Sequence, residues 1–340
     1  MTKQVLLRAL IVMTTLLVLN GCKGSENASD ATDDAALVLD AGQEPRETLR
    51  YKIAPGTTTT STMDFGIAAL ATTRDETVLT ATPGVRLHIV SGPSMEGKRG
   101  STRFDVRIVK AEALVPEGID PAVALDLNKG VSVLNNVGGW VEVDDRGLIQ
   151  RSELNEAAKR ADVPVRLLVL LINARTSLTR VILPAQPVGP GARWEARKDL
   201  TLYGFEVTQV DTYTLVEKVG DELKINVQIQ QTGLPQTVVF EQEGVELDVE
   251  SYKMNATGEL IANLNALETN AAASGESVGV INVKTVDGTE KVVIDRAVQI
   301  RATVTYDLAE TEAKAKQELR EADAVEAAEE KAGEKLEAQE

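Results

Sequence analysis

The sequence predicts an α+β fold that is mainly antiparallel β-sheet, with a central helical block and a charged C-terminal helix. Apolar and polar residues alternate in many short stretches on both sides of the chain's middle, which is typical of strands with one buried face. Residues 152–178, between these stretches, have helical character instead. Strands, then helices, then strands again indicate α+β architecture. We therefore expect a curved sheet or half-barrel that packs against helices, with the alternative of two small sandwiches left open.

The first 21 residues have the pattern of a bacterial export signal. Lys3 and Arg8 give the start of the chain two positive charges, and the apolar run ALIVMTTLLVL follows at 9–19. A membrane-spanning helix needs roughly 20 apolar residues, so this run is too short to span a bilayer comfortably. A charged start, a short apolar run and small residues at its exit indicate a signal peptide over residues 1–21.

The residues LNGC (19–22) at the exit of this run resemble the bacterial lipobox. Leu19 and Gly21 fit the motif, whereas Asn20 departs from its usual alanine or serine. The resemblance implies cleavage between Gly21 and Cys22 and attachment of diacylglycerol to the Cys22 sulfur. Each buried methylene contributes about 0.8 kcal/mol, so two or three acyl chains, such as palmitate, would anchor the chain firmly.

Cys22 and its neighbour Lys23 also predict where in the cell the protein is located. Cys22 is the only cysteine, so disulfides, zinc–thiolate sites and cysteine nucleophiles are not expected. Lys23 stands where an aspartate would resemble an inner-membrane retention signal. We expect a lipid-anchored envelope protein, on the outer membrane facing the periplasm rather than on the inner membrane or the cell surface.

Four segments are predicted after the signal. Residues 22–46 are rich in Ser, Ala, Asp and Gly and predict a disordered acidic tether. Residues 47–307 predict the β-rich globular domain, and 308–340 a solvated helix or tail rich in Ala, Glu and Lys.

Alternating stretches mark the strands within the domain. The predicted strands lie in LRYKI (49–53), VRLHIV (85–90), FDVRI (104–108), DELKINVQIQ (221–230), GVELDVE (244–250) and AVQIRATVTY (297–306). Two hairpins are predicted, one over 140–150 with its turn at 145–147, and one with Asp287 and Gly288 at the turn.

The helical block, about 152–178, begins with Ser152 as a plausible N-cap and Glu153 in the first turn. Pro164 suits the first turn of a second helix. The run VRLLVLLI (165–172) is apolar nearly all round, which predicts a helix buried against a sheet.

The lipobox, LRYKIAPG, WVEVDDRGLI and LPAQPVGPGARW together resemble a group of uncharacterised lipoproteins of Gram-negative bacteria, myxobacteria-like organisms among them. The resemblance covers roughly residues 47–307 and implies no catalytic residues. The architecture is also similar to lipid-handling periplasmic proteins of the LolA and LolB type, which implies a curved antiparallel sheet wrapped around helices.

The sequence contains few residues in patterns that indicate catalysis. His88 is the only histidine and lies on the polar face of its predicted strand, so no Ser–His–Asp triad can be built without it. Asp144 and Asp145 are adjacent carboxylates of a turn, and Trp140 and Trp194 are predicted packing or strand-entry anchors. A net charge of −16 disfavours nucleic-acid binding. We expect no enzyme, no metal and no cofactor.

Two functions stay open. The first is a non-enzymatic binding or structural module of the cell envelope, held at the membrane by its acyl chains, whose partner is a protein, a lipid or a wall polymer. The second is a periplasmic carrier that encloses a lipid or other apolar ligand between the sheet and the 165–172 helix.

Overall fold

A computed structural model of the chain describes residues 36–73, 77–81, 84–115, 120–156, 158, 180–202, 205–240, 245–285 and 288–305. These residues form long antiparallel strands with one α-helix among them, α1, which spans Pro121–Ser132. The mainly antiparallel β architecture predicted from the sequence is confirmed.

The described residues form fifteen strands. They are β1 Ala36–Asp40, β2 Thr59–Thr72, β3 Thr77–Ala81, β4 Gly84–Ser91, β5 Met95–Glu96, β6 Thr102–Leu114, β7 Gly138–Val143, β8 Ile149–Leu154, β9 Arg193–Leu202, β10 Phe205–Val219, β11 Glu222–Gly233, β12 Gln236–Phe240, β13 Val245–Asn263, β14 Asn270–Thr285 and β15 Gly288–Thr305.

One sheet joins the two strand-rich halves of the chain. Its order is β1-β9-β10-β11-β13-β14-β15-β2-β4-β6-β7-β8, with β12, β3 and β5 paired to β13, β2 and β6. The junction is the pairing of β15 with β2, which runs from Thr305 opposite Thr60 to Val293 opposite Thr72. The alternative of two separate sandwiches is therefore wrong for the described residues.

The burial of β11 follows the predicted alternation along the whole strand. Leu223, Ile225, Val227 and Ile229 are buried, and the residues between them are exposed. Burying a side chain of this size contributes about 1.5–3 kcal/mol, so a register shift by one residue would expose the whole apolar row.

The described residues contain three clusters of buried apolar side chains, and the largest lies on the inner face of the sheet, where both halves of the chain contribute to it. The segment 180–183 and the loop around Leu49 and Tyr51 lie inside it. Buried members from the strands include Met63, Leu87, Ile89, Ile108, Trp194, Tyr213, Leu215, Leu223, Ile225, Ile229, Leu260 and Ala271. Because β4 and β11 contribute to the same cluster, the sheet curves back around these inner segments.

Small residues permit a close approach of β13 to β14. Ala256 lies opposite Gly275, and Gly258 lies opposite Ala273. A Cβ built on Gly275 would overlap the side chain of Ala256, and one on Gly258 would meet Ala273. This part of the sheet therefore has no room for larger side chains.

The start of the predicted helical block is wrong. Ser152 and Glu153 lie in β8, where they pair with Val141 and Trp140 of β7. The predicted hairpin over 140–150 extends through these residues instead of ending before them. Glu156 and Ala158 are helical, and the rest of the predicted block, including 165–172, lies outside the described residues.

Helix α1 was not predicted. The Asp120 side chain caps it by accepting a hydrogen bond from the backbone N–H of Ala122 at 2.7 Å, and a proline occupies the first turn. None of its side chains is buried, so it leaves a weak apolar signal.

Two further boundaries differ from the prediction. Ala36–Asp40 is the edge strand β1 and pairs with β9, so the ordered sheet reaches into the segment predicted as tether. The LRYKI segment is irregular: Tyr51 N–H donates to Asp145 O and Lys52 N–H to Leu264 O, rather than to one neighbouring strand. The predicted 308–340 helix lies outside the described residues.

Within the part of the chain that the structure describes, no helix has the length and apolar character needed to cross a membrane.

Candidate functional site

The sequence-predicted residues are not brought together into one site. Gly21 and Cys22 lie outside the described residues, so lipid attachment stays a prediction. His88 Nε2 lies 2.9 Å from Glu112 Oε2 on the neighbouring β6, and Lys110 Nζ lies 2.7 Å from the other oxygen. Hydrogen bonds from Lys110 and His88 lower the pKa of Glu112. This is a partly exposed ionic cluster between strands.

Asp144 and Asp145 build the β7–β8 turn. Asp144 Oδ1 accepts hydrogen bonds from the N–H groups of Arg146 (3.0 Å) and Leu148 (2.8 Å). The Asp145 carboxylate lies 3.3 Å from Arg50, and Gly147 has φ 85°. Both carboxylates are therefore engaged in holding the turn.

The two tryptophans have different environments. Trp194 is fully buried, donates from Nε1 to Ile182 O at 2.7 Å and stacks on Tyr213 with ring centroids 5.6 Å apart. Its predicted role as a packing anchor is confirmed. Trp140 lies at the surface of β7, where the Arg103 guanidinium is 4.3 Å from its ring centroid.

The buried carboxylate of Glu142 stabilises the part of β7 that carries Trp140. Burial raises the pKa of Glu142, but hydrogen bonds from Ser101 Oγ, the Lys98 N–H and Arg151 outweigh it and hold that pKa below its ordinary value. The Lys98 N–H lies 2.8 Å from Glu142 Oε1, and Arg151 pairs with the other oxygen. Glu142 thus ties β7 to β8 and to the turn before β6.

A row of polar side chains lies on the inner face, where the alternation calls for apolar ones. Gln209 and Asp211 occupy inward positions of β10 between Val207 and Tyr213, and both are 1% exposed. Sequence reasoning missed them, although polar residues at the apolar positions of a strand are a readable signal.

The row extends across four strands through hydrogen bonds. Lys198 Nζ of β9 lies 2.7 Å from Asp211 Oδ2, and Gln209 Nε2 donates to Asp211 Oδ1 at 2.6 Å. Gln231 Nε2 of β11 donates to Gln209 Oε1 at 2.7 Å, and Tyr252 OH of β13 donates to Gln231 Oε1 at 3.1 Å. We call these five residues the inner polar row.

The electrostatics of the row follow from its burial. Burial lowers the pKa of Lys198 even though Asp211 acts to raise it, and the nearby Arg180 charge lowers it further. Burial and the Asp211 charge together raise the pKa of Tyr213 well above its ordinary value. The pair Lys198–Asp211 is therefore a desolvated ion pair inside the fold.

Arg180 lies beside this row. It is 6% exposed, and two of its guanidinium nitrogens, Nε and Nη1, have no hydrogen-bond partner among the described residues. Burial lowers the pKa of its guanidinium, and the nearby Tyr51, Tyr213 and Asp144 act in the opposite direction. Such a buried and incompletely satisfied cation is uncommon in native structures.

A groove of about 640 Å³ lies on the opposite, outer face of the sheet. We call it the outer groove. It crosses β10, β11, β13 and β14 and begins at Arg193 on β9. It is lined by Arg193, Thr212, Thr214, Asn226, Val227, Gln228, Thr257, Gly258, Glu259 and Ala272. Five of these residues carry hydroxyl or amide side chains, and Arg193 and Glu259 are charged.

No group of three or more His, Cys, Asp or Glu side chains that could hold a metal ion occurs among the residues described here.

Comparisons with known proteins are sparse. No family model matches the chain, and no curated protein matches it. The solved structures found include OccAB4 of Acinetobacter baumannii, with 6% identity, a TM-score of 0.22, and coverage of 73% of this chain and 98% of that chain. OccK8 (OprE) of Pseudomonas aeruginosa has 6% identity and a TM-score of 0.18, covering 74% of this chain and 100% of that chain.

A third solved structure is the COG4313 outer membrane channel of Pseudomonas putida F1, with 9% identity, a TM-score of 0.15, and coverage of 74% of this chain and 98% of that chain. TM-scores this low support no argument about fold or function. The resemblance to Gram-negative lipoproteins seen in the sequence stays a prediction.

Proposed function

We propose that the chain is a membrane-anchored bacterial lipoprotein of the cell envelope that acts as a non-enzymatic binding module. The predicted acylation of Cys22 supplies the anchor, on the outer membrane facing the periplasm. The observation that carries the binding role is the outer groove, whose lining includes hydroxyl, amide and charged side chains, on a sheet whose other face packs against the core.

The chemistry of the groove favours an extended polar partner. Thr212, Asn226 and Gln228 offer hydroxyl and amide groups that both donate and accept hydrogen bonds, and Arg193 and Glu259 add opposite charges. No aromatic ring lines the groove, so it offers no platform on which sugars could stack. We therefore propose a peptide segment of an envelope protein as the partner.

A photo-crosslinking amino acid tests this proposal in living cells. It is placed at Gln228 in the groove and, as a matched control, at Gln186, an exposed glutamine outside the groove. We expect a crosslinked protein adduct from position 228 that is absent from position 186 and lost when Thr257→Arg fills the groove. Equal adducts from both positions, or none from 228, would contradict the proposal.

The second candidate is a carrier that holds a lipid or other apolar ligand between the sheet and the 165–172 segment. The observation that favours it is on the inner face, where Arg180 lies next to apolar side chains and no anion among the described residues is hydrogen-bonded to it. The two candidates use opposite faces of the sheet, so experiments can separate them.

A further inference from the structure

The backbone that follows Arg180 is held by hydrogen bonds. Tyr51 OH donates to Val181 O at 3.0 Å, Trp194 Nε1 donates to Ile182 O at 2.7 Å, and Leu183 N–H donates to Arg146 O at 2.9 Å. The turn at Gly147 lies close to the Arg180 stem. The segment that carries Arg180 is therefore anchored inside the fold, and the residue is buried.

The anionic groups near Arg180 are already engaged. Asp211 pairs with Lys198 at 2.7 Å, and Asp144 binds its own turn and lies 4.0 Å from Arg146. Tyr51, whose burial raises its pKa, stays protonated and neutral. Among the described residues this leaves the Arg180 charge without a carboxylate of its own, which is costly in a buried position.

We propose that Arg180 binds the oxyanion, carboxylate or phosphate, of a ligand that enters the inner side of the sheet. Guanidinium N–H groups form strong, charge-assisted hydrogen bonds with such groups. Val181, Leu183 and Trp194, which follow or flank Arg180, are fully buried and apolar, so an anion bound at Arg180 would be shielded from water.

Arg180 lies on the inner side of the sheet, so an anion site there is independent of the outer groove. The oxyanion has two sources, a free anion such as acetate or phosphate and the headgroup of an acyl ligand. Both share the chemistry that Arg180 recognises, and a series of carboxylates with increasing chain length distinguishes them.

The test is thermal unfolding of the full chain, followed by the fluorescence of its two tryptophans, one of which lies beside the site. Sodium acetate, inorganic phosphate and sodium octanoate are added at equal ionic strength, adjusted with sodium chloride. Because a ligand that binds only the folded state stabilises it, the midpoint of the wild-type protein rises with ligand concentration. The midpoint of Arg180→Met does not respond.

Arg197→Met is the matched control. It removes the same charge from the exposed, outer face of the same strand as Lys198, and its response equals that of the wild type. Arg180→Lys serves if Arg180→Met does not fold. It keeps the charge but loses the planar donor arrangement, and its affinity falls about tenfold, as expected when one charge-assisted hydrogen bond is lost.

The unfolding midpoints distinguish the two sources of the oxyanion and also show whether Arg180 binds an anion at all. An affinity that increases from acetate to octanoate supports the proposal with an acyl ligand as the source, and equal responses to acetate and phosphate support it with a free anion. The proposal is overturned if no anion shifts the wild-type midpoint, if Arg180→Met responds as the wild type does, or if Arg180→Lys keeps the full affinity.

Discussion

Glu142 is a single residue on which three parts of the chain depend. Its carboxylate is almost fully buried and receives hydrogen bonds from Ser101, the Lys98 backbone and Arg151. These donors stabilise the charged form, which is why its pKa lies below the ordinary glutamate range.

The pH dependence of stability follows from this shift. A lowered folded-state pKa contributes stability that is fully present above the unfolded value, about 4.3, and is lost as the pH falls through the folded value. We expect Glu142→Gln to lower the free energy of unfolding at pH 7 by about 2 kcal/mol. The difference from the wild type shrinks as urea titrations move to acid pH, whereas Glu96→Gln at an exposed position shows little effect. A pH-independent difference would contradict this account.

The Lys198–Asp211 pair supports a second prediction at the same scale. Asp211→Asn leaves a buried ammonium without its carboxylate, so we expect a loss of about 3 kcal/mol in the free energy of unfolding. Adding Lys198→Met removes the uncompensated charge and recovers part of that loss. Urea denaturation of the single and double variants measures both values. A double variant less stable than Asp211→Asn would show that the cost does not arise from the orphaned charge.

At the scale of elements, the close approach of β13 to β14 depends on glycine. Gly275→Ala places a methyl group against Ala256, and we expect a loss of about 1–3 kcal/mol in the free energy of unfolding. Gly66→Ala in β2 is the matched control because nothing lies within 4 Å of its added Cβ. Chemical denaturation of both variants decides the matter, and equal effects would refute the crowding argument.

The strands were predictable where one face is buried, as in β11, whose alternation leaves little choice of register. The boundary at Ser152 was not. Ser152 and Glu153 are compatible with a helix start, and only the long-range pairing of β8 with β7 holds them in a strand. The inner polar row and Arg180 depend on which strands become neighbours, information that no local pattern contains.

At the scale of the whole molecule, both halves of the chain contribute to the largest buried cluster and to one sheet. We therefore expect the described domain to unfold in a single cooperative transition. Differential scanning calorimetry checks this through the agreement of calorimetric and van't Hoff enthalpies. Two resolved transitions would instead indicate that the strands on either side of the β15–β2 junction fold independently.

The edge strand β1 brings the sheet close to the predicted anchor. Residues 23–35 connect Cys22 to Ala36. At no more than about 3.6 Å per residue, this connection spans at most about 50 Å. A binding surface so tethered would meet its partners near the membrane surface.

The central claim, that Cys22 holds this sheet at a membrane, is tested most directly by the intact mass of the full chain extracted from bacterial membranes. The account predicts a chain that begins at Cys22 and carries acyl groups on that residue, and a Cys22→Ala variant that lacks them. A mature chain that begins elsewhere, or a Cys22 with an unmodified thiol, would contradict it.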